Sequence, residues 1–149
     1  MDRRHLLAAA MLHDIGMFVT PKKHHKHSLY LISRSDLPGL SPEEMLGVAN
    51  IARYPRRRPP RSHHHLCARL APGDRVKVTP LAASLRRADA LDRQHIQAVQ
   101  EGDARIEGLE LHRALRGEAD MLLERWAVTR KSPLFQDTFG LTVRASTAP

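Results

Sequence analysis

Apolar residues recur at helical spacing through the first part of the chain. Leu6, Leu7, Ala10, Met11 and Ile15 share one broad face and predict a helix over Asp2–Phe18, with Asp2 as N-cap and Gly16 near its end. The segment Thr20–Lys23 breaks the pattern. Leu29 and Ile32, joined by Tyr30, predict a second helix over Lys26–Ser33. Ser41, Pro42 and Glu44 form a helix start, because serine at the cap, proline at the first position and glutamate three residues on satisfy the free amides of a first turn. That third helix, Pro42–Arg53, carries Met45, Leu46, Val48, Ala49 and Ala52. After a loop dense in arginine, proline and histidine, Thr79 and Pro80 open a fourth helix whose face is Leu81, Leu85, Ala88 and Leu91/Asp92.

The period then changes. Residues 95–100, His-Ile-Gln-Ala-Val-Gln, alternate, as do Gly108–Leu115, so both predict strands with residues 101–108 between them. Residues 118–131 read as a helix, 134–140 as a short helix ending at Gly140, and 141–145 as a last strand. The fold class is therefore mainly α: a helical bundle over residues 1–94, then a small α+β appendage over 95–149.

Composition narrows the function. Aromatics make up only 4% of the 149 residues, so the core must be built from Leu, Ala, Val and Ile. No apolar run approaches the roughly 18 residues of a membrane span, and the apolar stretch near the N-terminus is cut by His13-Asp14 with no small-residue cleavage site after it. A lone Cys67 forms no internal disulfide and fits a reducing, cytoplasmic setting. The net charge of +8, with ten further histidines, points to anionic partners.

Four groups of residues are candidates for chemistry. His13 and Asp14 stand side by side in an apolar run; they read either as a hydrogen-bonded surface pair or as ligands of a divalent metal (Mn, Mg, Fe or Zn). Asp89 and Asp92, three apart, share a helix face and suit surface ion pairs, a metal or a general base. Lys22, Lys23, His24, His25, Lys26 and His27 form a cluster that suits phosphate oxygens, or a plain exposed basic segment. Arg56, Arg57 and Arg58 lie in the arginine/proline loop; the guanidinium fork matches phosphate, but no aromatics accompany it to stack on bases, which disfavours nucleic acid.

Taken together, "MLHDIG", the histidine cluster, "SLYLI" and "ADALDR" resemble the HD superfamily of metal-dependent phosphohydrolases. The longer stretches "MLHDIGMFVTPKKHHKHSLYLISRSDLPGLSPEEMLGVANIARY", "LAASLRRADALDRQH" and "LRGEADMLLERWAVTRKSPLFQDTFG" resemble the C-terminal helical domain of the exopolyphosphatase / guanosine-pentaphosphate phosphohydrolase (Ppx/GppA) family, collinearly from about Leu6 to Val143. The resemblance implies that His13, Asp14 and Asp89 are metal ligands and that His24, His25 and His27 lie by the same cleft. It implies an HD-like bundle, a polyphosphate or phosphorylated-nucleotide ligand, and a homodimer or a partner catalytic domain.

The chain also departs from that pattern. HD domains need a further histidine on a helix before the His-Asp helix, and His5, about 12 Å up the same helix from His13, is no substitute. Pro55 stands where the family has a histidine, and the large N-terminal catalytic part of full-length members is absent. Three functions follow: a module that binds polyphosphate or a hyperphosphorylated guanine nucleotide without hydrolysing it; a metal-dependent phosphohydrolase using His13, Asp14 and Asp89; or a dimerisation module.

Overall fold

A computed structural model describes residues 3–54, 65–92, 99–117 and 121–147. The described chain is mainly α, with a small three-stranded sheet, and divides into two units, Met1–Leu85 and Arg86–Pro149. Arg56, Arg57, Arg58 and Pro55 fall outside the described residues, as do residues 95–98 of the first predicted strand and 118–120 at the start of the sixth helix.

The first unit holds α1 (Arg3–Leu12), a 3-10 turn (Ile15–Phe18), α2 (His24–Arg34), α3 (Pro42–Arg53), α4 (His65–Ala68) and most of α5 (Pro72–Leu91). Helix α3 begins as its sequence predicts. The Ser41 hydroxyl accepts from the Glu44 amide and the Glu44 carboxylate accepts from the Ser41 amide. Met45 and Gly47 through Ala52 are all buried, so α3 is enclosed on most of its circumference. Leu29, Ile32, Val78, Ala82 and Leu85 pack around it in one aliphatic core. Asn50, fully buried at its centre, donates to the carbonyls of Leu46 and Leu66 and ties α3 to α4.

Several helical expectations are corrected. The first helix does not run to Phe18: it stops at Leu12, and His13-Asp14 form a turn. Its buried side is His5 and Ala9, while Leu7, Met11 and Ile15 are exposed. Tyr30 likewise points to solvent. Helix α5 starts at Pro72 and passes through Pro80 instead of beginning there. Pro72 supplies a first-turn proline of its own, Arg75 donates to the carbonyls of Ala68 and Leu70, and burial of Val78 and Ala82 on either side of Pro80 holds the helix across the missing amide. Ala88, expected on the inner face, is exposed; Arg87, Asp89 and Ala90 are buried instead.

The second unit contains the end of α5, β1 (Glu101–Glu107), β2 (Glu110–Arg116), α6 (Leu122–Lys131), α7 (Pro133–Phe139) and β3 (Thr142–Thr147). The sheet order is β1-β2-β3, antiparallel then parallel. The segment predicted as a connection is itself β1. It carries no apolar alternation, and its pairing is set by the two-residue turn at Gly108-Leu109, where Gly108 takes a φ of 58°. Leu115 and Met121 form one small core; Ala90, Ala127, Val128 and Val143 form another, with Leu91 and Ala145 packed against both. Among the described residues, no helix is long and apolar enough to cross a membrane.

Candidate functional site

The turn after α1 is shaped by a close approach. Gly16 lies against the first turns of α2, and a Cβ there would sit 2.5 Å from the Ser28 amide nitrogen and closer still to the His24 carbonyl oxygen. The fully buried Ser28 hydroxyl donates to the His13 carbonyl at 2.6 Å and accepts from the Gly16 amide at 3.0 Å. One side chain thus satisfies a carbonyl and an amide of the turn that follows α1.

This contact brings two histidines to one carboxylate. His13 Nδ1 lies 2.7 Å from the Ala10 carbonyl and His24 Nδ1 lies 3.1 Å from that of Pro21. A carbonyl only accepts, so each Nδ1 carries the hydrogen. The opposite ring nitrogens face Asp14, His13 Nε2 at 3.3 Å from Oδ2 and His24 Nε2 at 3.4 Å from Oδ1. The result is a His-Asp-His chain with one imidazole on each carboxylate oxygen.

The resemblance implies a divalent ion on His13, Asp14 and Asp89. Its ligands would have to converge within about 2 Å of one point. Asp14 instead offers its two oxygens to two separate rings. Asp89 belongs to the second unit, where the Lys131 ammonium donates to its Oδ2. Among the described residues, no group of three or more His, Cys, Asp or Glu side chains is placed to hold a metal ion. His5 is accounted for separately: its Nε2 lies 3.3 Å from the Glu44 carboxylate, which Arg4 also engages. The backbone amide of Ser41 is the main cause that holds Glu44 below its usual range.

The basic cluster divides at the start of α2. His24 turns inward and is buried, His25 and His27 are half-buried, and Lys22, Lys23 and Lys26 are exposed. Lys23 precedes the helix with φ 61°, a left-handed conformation rare for a residue with a side chain. The first turn of α2 contains no acidic residue, and the nearby Asp14 faces histidines and not these lysines.

Sequence reasoning placed His24 among the phosphate ligands and missed Ser28. The signal was present: positions 24, 28 and 32 extend the inward face of Leu29 and Ile32 back by two turns.

Residues 1–132 match the family described as Ppx/GppA phosphatase, domain III. The chain is also similar to two proteins named guanosine-5'-triphosphate,3'-diphosphate pyrophosphatase. With that of Pseudoalteromonas atlantica it shares 32% identity over 130 residues, which covers 81% of this chain and 25% of that one. With that of Pseudoalteromonas translucida it shares 38% over 48 residues, which covers 32% of this chain and 10% of that one. The chain therefore spans a quarter or less of the length of these relatives.

Proposed function

Since the chain belongs to the Ppx/GppA phosphatase family, as its domain III, we propose that it binds polyphosphate or a hyperphosphorylated guanosine nucleotide without hydrolysing it by itself. The observation that carries this reading is the trio Lys22, Lys23 and Lys26, exposed together at the positive end of α2 beside the His13-Asp14-His24 chain. Helix amides and ammonium groups act on an anion in the same sense. The net charge of +8 supports the same ligand class, and the half-buried His25 and His27 add donors at the rim.

The test is fluorescence anisotropy of labelled long-chain polyphosphate at low and high salt. Affinity should fall steeply as salt rises, because each ammonium–phosphate contact releases counterions. Affinity that does not change with salt refutes the binding mode. In parallel, phosphate release is measured with added Mn²⁺, beside Asp14→Ala. No release is expected from either protein; release that the substitution abolishes would establish a hydrolase and overturn the non-catalytic reading.

A second reading has its own observation. Leu7, Met11, Ile15, Met17 and Phe18 are all exposed, Met11 by 86% and Phe18 by 93%. An apolar surface of this kind suits contact with a second copy or with the rest of a phosphatase. A chain that stays monomeric by light scattering at high concentration refutes the homodimer.

A further inference from the structure

The second unit buries one arginine, Arg87, and half-buries another, Arg113. On β2, Leu111, Arg113 and Leu115 point to one face by strand alternation, and Leu111 and Leu115 are buried there. On α5, Arg87 shares a side with Ala90 and Leu91, three and four residues on, and both of these pack in the same unit's core. Arg87 is only 6% exposed. Its guanidinium lies over the Phe135 ring, 4.6 Å from the centroid, which fixes its plane. The Arg113 guanidinium lies over Gly102, where a Cβ would come within 3.2 Å of its Nη2.

The Nε atoms of both Arg87 and Arg113 are buried with no hydrogen-bond partner, and among the described residues neither side chain forms an ion pair. Several described acids of the unit are engaged with other cations: Asp89 with Lys131, Asp103 with Arg116, Glu107 with Arg105, and Glu110 with Arg144 and His112. Glu124, buried on α6, has interactions of its own. Burial, and after it the charge of Arg113, pulls Arg87 down to about 10. A buried guanidinium beside a second, half-buried one, each with an unpartnered Nε, favours an anion.

We propose that Arg87 and Arg113 form an oxyanion site for a phosphoryl group in the second unit, reached past the exposed Gly102. The guanidinium fork offers paired N–H donors at the spacing of phosphate oxygens, and two forks carry the charge of one phosphate dianion. The site goes beyond the lysine cluster of α2 and shares no residue with it.

The experiment is pyrophosphate titration of the full chain, followed by the arginine Nε–H resonances and the backbone amides in one set of NMR spectra. The Nε–H signals of Arg87 and Arg113 should shift and saturate together. Arg113→Gln, at a half-buried position, should weaken that saturation about tenfold, as expected for loss of a charge-assisted contact. Arg113→Lys keeps the charge, loses the fork and should fall between the two, which separates anion binding from folding should Arg87→Gln not fold. Acetate in place of pyrophosphate should leave the signals unmoved. Shifts confined to Lys22–His27 would refute the arginine site and leave the proposed function standing. Shifts at the arginines alone would do the reverse.

Discussion

Replacing Gly16 with alanine tests the geometry that assembles the His-Asp-His chain. The added methyl would lie 2.5 Å from the Ser28 amide nitrogen, 2.8 Å from its hydroxyl and closest of all to the His24 carbonyl oxygen. Two of these atoms are backbone of α2, so no side-chain rotation relieves the overlap. The 3-10 turn must move away from the helix. Overpacking of this kind costs about 1–3 kcal/mol or more. The same movement strips the Gly16 amide of its Ser28 acceptor, and a buried amide left unsatisfied adds about 1–3 kcal/mol. The stiffer unfolded chain returns only about 0.4–1 kcal/mol. The net loss is therefore about 3 kcal/mol. With urea slopes of about 1–3 kcal/mol per molar, the midpoint should fall by roughly 1 M or more. Gly73→Ala is the matched control, because Gly73 lies in the first turn of α5 and a Cβ there meets nothing within 4 Å. It should raise the midpoint slightly. The assay is urea unfolding followed by far-UV circular dichroism. A Gly16→Ala midpoint equal to wild type would refute the close approach, and with it the route by which His24 reaches Asp14.

Other consequences follow from single contacts. Ser41→Ala should cost about 1 kcal/mol through loss of the α3 cap, read as a urea midpoint. Because Glu44 is held below its usual range, its share of the cap is present above that range and disappears as pH falls through the lowered value; the stability gap between wild type and Glu44→Gln should therefore close in acid. Burial raises the Cys67 thiol, so alkylation at neutral pH should be at least about tenfold slower than for an exposed cysteine and should recover in urea; fast labelling of the folded chain would contradict its burial. Lys131→Met removes the cation bonded to the buried Asp89 carboxylate and should destabilise the second unit by about 3 kcal/mol, followed by Trp126 fluorescence, with Asp89→Asn in the same background recovering part of the loss.

Local chemistry decides what the sequence reveals. Helix α3 is legible to the residue because Ser41, Pro42 and Glu44 act within one turn. The end of α1 is not, because it depends on Gly16 meeting α2 from twelve residues away, and the apolar run through Val19 hides the break. Thr79-Pro80 carries the signature of a helix start, and tertiary burial of Val78 and Ala82 overrides it. Strand β1 offers no periodic signal because none of Gly102 through Glu107 is buried. The same limit applies to the sites. His13 and Asp14 are conspicuous as neighbours in the chain. The inward turn of His24 and the unpartnered Nε atoms of Arg87 and Arg113 arise only when separate elements are brought together.

Strand β1 also bears on how the protein behaves when crowded. It is an edge of the sheet, and its backbone offers hydrogen-bonding groups to a newcomer. Its alternate positions Asp103, Arg105 and Glu107 are charged. A copy stacked in register at the roughly 4.8 Å strand spacing would set each of these charges on its own kind. Shifted antiparallel pairing of two copies about Arg105 would place Arg105 on Arg105 and Asp103 on Glu107. The absence of an apolar stripe, which hid this strand from the sequence, thus disfavours templated stacking along that edge.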